Sequence, residues 1–122
     1  VYSTVGAGFG TSAALRCQAG QTVTVRNSLL VSASADDELQ CPDAVVTSSA
    51  LEMVLPGNLG LGDLDSMWFD SFDTGDFHLS GSQPAGVETA ATWLTGDPVV
   101  DIDGDARPTM MDTPDVAGAD VP

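Results

Sequence analysis

Lysine is absent from this sequence, and positive charge is scarce. Only three arginines, Arg16, Arg26 and Arg107, stand against 18 acidic residues, which gives a formal net charge of -15 at pH 7. A phosphate backbone or an anionic membrane surface would be repelled by such a chain, so nucleic acid is not expected as a partner. Divalent cations, or a salty medium that screens self-repulsion, suit the composition better.

Long apolar runs are also missing, and aromatic residues are few. No run approaches the roughly 18 apolar residues that a membrane span requires, so no membrane span is expected. Aromatic residues make up only 6% of the 122 positions, so the core must be built mainly from Val, Leu and Ala. This length fits one domain, residues 1–122. Because the chain opens with Val1 rather than Met, we expect a mature or excised piece of a longer protein, so the lack of a visible signal peptide carries no information.

Two similar segments surround the only two cysteines. Cys17 follows Ala-Leu-Arg, Cys41 follows Glu-Leu-Gln, and each precedes a polar turn and a run rich in β-branched residues. Aligning the two runs places Val25 over Val46. A self-similar unit of roughly 20 to 25 residues predicts an all-β solenoid whose units bury their apolar faces by stacking. A β-sandwich, which also has short strands at regular spacing, remains the alternative.

Stacking would bring equivalent positions about 4.8 Å apart, within the reach of a disulfide. We therefore predict a Cys17–Cys41 disulfide, which stabilises by roughly 3 kcal/mol in the chain-entropy model and indicates an oxidising compartment. The alternative is a pair of buried thiols. Zinc is not expected, because the cysteines lack a CxxC spacing.

The repeat fades after residue 55. The sequence predicts coils over 1–55 and an aromatic, acidic end-cap with an extended tail over 56–122. Within 56–122 we expect a short strand around Phe77 to Leu79, a helical turn between Val87 and Leu94, and an extended chain beyond Pro98.

Several segments resemble the C-terminal end of secreted bacterial right-handed parallel β-helix proteins of the pectate-lyase-like superfamily. They are Thr22–Leu30 (TVTVRNSLL), Phe72–Ser80 (FDTGDFHLS), Asp101–Pro108 (DIDGDARP) and, with one residue inserted, Asp115–Asp120 (DVAGAD). The resemblance implies the last coils and end-piece of such a protein, secreted or at the cell surface.

Catalytic residues of that superfamily lie on more central coils, so the resemblance implies a non-catalytic structural or binding module with no catalytic residue of its own. Two alternatives stay open. One is the tail of a polysaccharide lyase or glycoside hydrolase, and the other is a calcium-dependent adhesin module.

The aspartates of the DIDGDARP segment are the candidate metal ligands. Asp101, Asp103, Asp105 and Asp112 fall at positions 1, 3, 5 and 12 of a loop, where Ca²⁺ would find oxygen ligands. Ala106 stands where an EF-hand needs glycine, so the pattern is not that of an EF-hand. The structural alternative is that these aspartates accept backbone hydrogen bonds and pair with Arg107. Ca²⁺ is the one cofactor that the sequence suggests.

Other residues carry weaker signals. His78 is expected to be an outward-facing strand residue, and Arg26 is either a carboxylate or carbohydrate contact or a solvated surface residue. Trp68 and Trp93 either plug the end of the solenoid or offer a platform for a sugar. An open first coil near Val1 to Thr4 would allow self-association, and carbohydrate is the other candidate partner.

Overall fold

The computed structural model of the chain describes residues 1–8, 13–33 and 38–122, and these residues form an all-β protein. They contain short strands and three single 3-10 turns, and among them there is no α-helix. None of the helical segments in this part of the chain is long and apolar enough to cross a membrane.

The first eight strands are β1 (Thr4–Ala7), β2 (Leu15–Arg16), β3 (Thr24–Arg26), β4 (Leu29–Ser32), β5 (Leu39–Gln40), β6 (Val45–Thr47), β7 (Ala50–Leu51) and β8 (Leu59–Gly60). The last four are β9 (Phe69–Ser71), β10 (Asp76–Leu79), β11 (Ala91–Trp93) and β12 (Thr113–Asp115).

The first eight strands pair only in parallel. β1, β4, β7 and β8 lie side by side in that order, and β2 pairs with β5 as β3 pairs with β6. Val25 lies beside Val46, as the alignment of the two runs predicts. We call this set of parallel pairs the stack. It extends beyond residue 55, because β8 at Leu59–Gly60 pairs with β7.

A repeated corner leads into three strands of the stack. Tyr2, Asn27 and Ser48 all have positive φ, at 52°, 56° and 49°, and each lies two residues before β1, β4 or β7. Non-glycine residues rarely adopt this left-handed conformation, although asparagine does so most readily. The same turn at equivalent positions keeps the following strands in register.

Hydroxyl groups join these corners to one another. The Ser28 hydroxyl accepts a hydrogen bond from the Ser3 amide at 3.4 Å, and the Ser49 hydroxyl accepts one from the Ser28 amide at 3.1 Å. Oδ1 of Asn58 then accepts the Ser49 amide at 3.0 Å. This ladder satisfies backbone groups that the corners would otherwise leave unpaired in the interior.

Strand β4 is buried on both faces, which separates two apolar clusters. Because successive side chains of a strand point to opposite faces, Leu30 enters one cluster while Leu29 and Val31 enter the other. The inner cluster consists of Val25, Leu30, Val46 and Leu51 between the strands of the stack. The outer cluster joins Leu29, Val31 and Ala50 of the stack to Tyr2, Trp68, Phe69, Phe72, Leu79, Val87, Ala91, Trp93, Val116 and Ala117.

The aromatic residues therefore cover the outer face of the β1-β4-β7-β8 sheet. Trp68 and Trp93 are both buried there among stack residues, so neither ring is open to a sugar. They share one apolar cluster with Leu29, Val31 and Ala50 of β4 and β7, whereas one of the two alternatives from the sequence was a plug at the open end of the solenoid. The scarcity of aromatics is consistent with both positions, and the sequence pattern cannot distinguish them.

The segment after residue 86 differs in part from the prediction. Only Val87–Thr89 forms a helical turn, of the 3-10 type, and the chain then continues as β11. β12 pairs with β11 in antiparallel fashion, so the tail beyond Pro98 is not simply extended. The predicted strand around Phe77 to Leu79 is confirmed as β10, which pairs with β9.

The predicted disulfide is confirmed. Cys17 and Cys41 are bonded, with their Cα atoms 4.8 Å apart, directly after the paired strands β2 and β5. The bond joins two successive units of the stack.

Candidate functional site

Asp101 organises the acidic turn that contains three of the candidate metal ligands. Its Oδ1 accepts the backbone N–H groups of Asp103, Gly104 and Asp105 at 2.9, 2.8 and 2.8 Å. Its Oδ2 accepts the N–H of Val121 at 2.9 Å, which attaches the turn to the C-terminal segment. Both oxygens of this carboxylate are therefore used as acceptors of backbone hydrogen bonds.

The pKa of Asp101 reflects these contacts. Partial burial alone would raise the pKa of the carboxyl, but the four backbone donors outweigh burial and hold it below its usual value. A carboxylate held in this way is charged in neutral solution, and its charge is balanced by N–H dipoles.

The other predicted calcium ligands lie in different surroundings. Asp103 and Asp105 are exposed at the turn, whereas Asp112 lies before β12, with φ 62° and its N–H bonded to the Trp93 carbonyl at 3.0 Å. In the described part of the chain, the ligand atoms of His78, Asp103 and Asp120 form the one group of three that lies together. Of the four predicted aspartates, only Asp103 belongs to this group, and calcium binding by the four remains a prediction.

Arg107 does not neutralise the aspartates of the turn, and this part of the structural alternative is wrong. Its side chain is buried, with Nη1 3.2 Å from Oδ2 of Asp115 and Nη2 donating to the Gly118 carbonyl at 2.9 Å. Its guanidinium carbon lies 4.3 Å from the centre of the Tyr2 ring. Burial favours the partner that can neutralise the charge away from water, so Arg107 turns inward to Asp115.

His78, on β10, supplies the positive charge beside the turn. Its Nδ1 lies 2.5 Å from Oδ1 of Asp76, and its Nε2 lies 2.8 Å from Oδ2 of Asp103. The hydrogen bond with Asp76 and the charge of Asp103 together raise the pKa of His78 to about 9. The same hydrogen bond lowers the pKa of Asp76. His78 is half-exposed, as expected for an outward-facing strand residue. The expectation did not include its contacts with the carboxylates of Asp76 and Asp103.

Asp120 completes this group from the C-terminal segment. Its side chain is buried, and its Oδ2 accepts the N–H of Leu79 at 2.7 Å. The ligand atoms of His78, Asp103 and Asp120 all lie within 4.8 Å of one another. A cavity of about 170 Å³ lies beside them, lined by His78 and Asp120 together with Phe77, Ile102 and Ala119.

A second polar network joins the corner of the stack to the segment after β11. Nη1 of Arg26 donates to Oδ2 of Asp97 at 2.9 Å, and Nδ2 of Asn27 donates to the Thr92 carbonyl at 2.9 Å. The ion pair with Arg26 lowers the pKa of Asp97. Of the alternatives considered for Arg26, the carboxylate contact is the one found.

The sequence did not indicate Asp120 as part of any site. Asp76 and His78 alternate on one strand, which places them on one side and is a usable signal. Their partners Asp103 and Asp120 come from segments 25 or more residues away, and no local pattern specifies that meeting. Comparison with protein-family models, with curated proteins and with solved structures finds no match to this chain.

Proposed function

We propose that the chain is a non-catalytic structural or binding module that ends a right-handed parallel β-helix of the pectate-lyase-like type. The observation that carries the proposal is the parallel pairing at repeated offsets, with β1, β4 and β7 each following the same left-handed corner. A β-sandwich is built from antiparallel sheets, and parallel strands that return at a short period are typical of a solenoid.

The use of the charged side chains supports a structural role. Arg26 with Asp97 and His78 with Asp103 join distant segments, Arg107 pairs with Asp115 inside the C-terminal segment, and both oxygens of Asp101 accept hydrogen bonds from backbone amides. The Arg26–Asp97 pair attaches the segment after β11 to the stack, and the other contacts join residues 101–121 to one another and to β10. Holding a cover over apolar β-strands protects them from contact with water and with other chains.

The disulfide supports a secreted or cell-surface location, because such bonds persist in oxidising environments. The parent protein is then an extracellular bacterial protein, and its polysaccharide-active or adhesive parts would lie on other coils. The substrate class that we propose for the whole protein is acidic or neutral polysaccharide.

Self-association through the first strand belongs to the same proposal. In the described residues β1 pairs with β4 on one side only, so its other edge carries backbone groups that a further strand would satisfy. A second copy placed there would extend the sheet. Light scattering should then show concentration-dependent dimerisation of the chain, and a strict monomer at high concentration would count against it.

The decisive experiment is an assay of the purified chain on polygalacturonate, alginate and neutral polysaccharides. We expect no release of unsaturated or reducing ends above the buffer level. Turnover that co-purifies with the folded chain and is lost in Asp76→Asn or Asp103→Asn would overturn the structural proposal in favour of an enzyme.

A further inference from the structure

We infer that His78, Asp103 and Asp120 form a binding site for a divalent transition-metal ion of the zinc class, with Asp76 as the residue that positions His78. The site shares Asp103 with the calcium loop expected at Asp101, Asp103, Asp105 and Asp112, and its other two ligands, His78 and Asp120, lie outside that loop. It does not depend on the proposed function.

The donor set selects the class of ion. One imidazole nitrogen and two carboxylate oxygens suit Zn²⁺ and its neighbours, whereas Ca²⁺ takes oxygen ligands almost exclusively. Zinc bonds to nitrogen and oxygen are about 2.0 to 2.2 Å long, so tetrahedral ligand atoms lie roughly 3.3 Å apart. The atoms here, 2.8 Å apart for His78 and Asp103 and within 4.8 Å for the whole group, need only small side-chain movements to reach that spacing.

The surroundings of His78 match those of a metal ligand. A metal-binding histidine usually donates its other ring N–H to a carboxylate, which fixes the tautomer and the ring. Nδ1 of His78 lies 2.5 Å from Asp76, which leaves Nε2 directed at Asp103. Hence the nitrogen that faces Asp103 is the one that can bind a metal in place of its proton.

Charge and space favour a dication. Three carboxylates, those of Asp76, Asp103 and Asp120, surround a single imidazolium, so the group is overall negative even with His78 protonated. Binding of the ion would release the Nε2 proton, and the carboxylates would then share a charge of +2. The neighbouring cavity of about 170 Å³ has room for water to complete the coordination.

The ligands come from three separate parts of the chain. His78 lies on β10, Asp103 lies in the acidic turn, and Asp120 lies in the C-terminal segment, where it accepts the Leu79 amide. A bound ion would therefore cross-link the aromatic cover, the turn and the tail. Its loss should loosen these segments without unfolding the stack.

His78 is the only histidine in the sequence, so its ring resonances report directly on metal binding at the site. The metal-free chain is titrated with ZnCl₂ and, separately, with CaCl₂, while the ring resonances of His78 are followed by NMR and the heat of binding by calorimetry. We expect zinc to shift the His78 resonances in a saturable way at one ion per chain, and calcium to leave them unchanged.

Three variants define the ligands. Asp103→Asn should weaken zinc binding at least tenfold, and Asp76→Asn should weaken it about 10- to 100-fold as the loss of a positioning partner does. Asp105→Asn, on the same exposed turn but outside the group, should bind like the wild type. The inference is overturned if His78 resonances show no saturable change, if Asp105→Asn weakens binding as much as Asp103→Asn, or if calcium competes at equal concentration.

Discussion

Nη1 of Arg26 donates a 2.9 Å hydrogen bond to Oδ2 of Asp97, a residue 71 positions later in the chain. Arg26 belongs to the first unit of the stack, and Asp97 follows the last strand but one. The pair thus connects the two halves of the chain, and the buried Asp97 carboxylate has Arg26 as its ion-pair partner.

Arg26→Ala should therefore destabilise the protein clearly. Because Asp97 would keep a buried charge without its guanidinium, we expect a loss of about 2 to 3 kcal/mol in the free energy of unfolding. Denaturant unfolding followed by tryptophan fluorescence measures this loss. Arg16→Ala is the matched control, since Arg16 is exposed and its side chain donates a hydrogen bond to the exposed Gln40 side chain, so the change should alter stability by less than about 0.5 kcal/mol. Equal effects of the two substitutions would contradict the role of the Arg26–Asp97 pair.

Gly6→Ala tests the packing of the aromatic cover on β1. A Cβ at residue 6 would lie 2.6 Å from Cζ of Phe77, and overpacking of this kind costs about 1 to 3 kcal/mol. Gly8→Ala, whose added Cβ meets no atom of the described residues within 4 Å, should be neutral or slightly stabilising. Adding Phe77→Leu to Gly6→Ala should restore part of the loss. If the two alanine variants melt alike, the cover does not lie on β1 as described.

Replacing both cysteines with serine should cost roughly 3 kcal/mol in the chain-entropy model. The bond joins two units of the stack, so its removal should lower the melting temperature without changing the strand content measured by circular dichroism. A reducing agent should lower the melting temperature of the wild type to that of the double variant and leave the variant itself unaffected. If a reducing agent leaves the melting temperature of the wild type unchanged, the disulfide does not stabilise the fold.

Acid should weaken the fold through Asp97 and Asp101. Hydrogen bonds hold the pKa of each carboxyl below its usual value, from Arg26 for Asp97 and, against the effect of burial, from backbone amides for Asp101. The unfolded chain then binds more protons, so this stability is fully present above roughly pH 4 and is lost as the pH falls through the lower folded values. Urea unfolding at a series of pH values measures the slope.

Asp97→Asn should flatten that acid dependence, because one of the two carboxyls no longer titrates. The variant is also expected to be less stable near neutral pH, since it loses the ion pair with Arg26. Parallel stability profiles of Asp97→Asn and the wild type below pH 5 would show that Asp97 makes no such contribution.

The parts of the fold that repeat could be predicted from the sequence. The spacing of Cys17 and Cys41 predicted the disulfide, and the alignment of Val25 with Val46 predicted the register of β3 with β6, because both depend only on a local period. The strand at Phe77 to Leu79 followed from its β-forming residues. Each of these features can be inferred from residues close together in the sequence, without knowledge of how distant segments meet.

Contacts that depend on the folded path of the chain could not be predicted from the sequence. Arg107 has Asp105 two positions before it, yet it binds Asp115 because both side chains are buried together. The aromatic residues were expected at an end of the stack, and only the three-dimensional path of the chain places them over Leu29 and Val31. The His78 group likewise depends on three segments that meet only in the folded chain.

The tail is also bound to the very first strand. The amide of Ala119 donates to the Thr4 hydroxyl at 3.1 Å across 115 positions of sequence, and an added Cβ on Gly118 would lie 2.7 Å from the same hydroxyl. A contact of such long range closes one of the largest possible loops in the chain and is expected to form late and slowly. During synthesis the contact between Ala119 and Thr4 can form only after residues near 119 have left the ribosome, so the tail joins the first strand later than Trp68 and Phe69 can reach Leu29 and Val31.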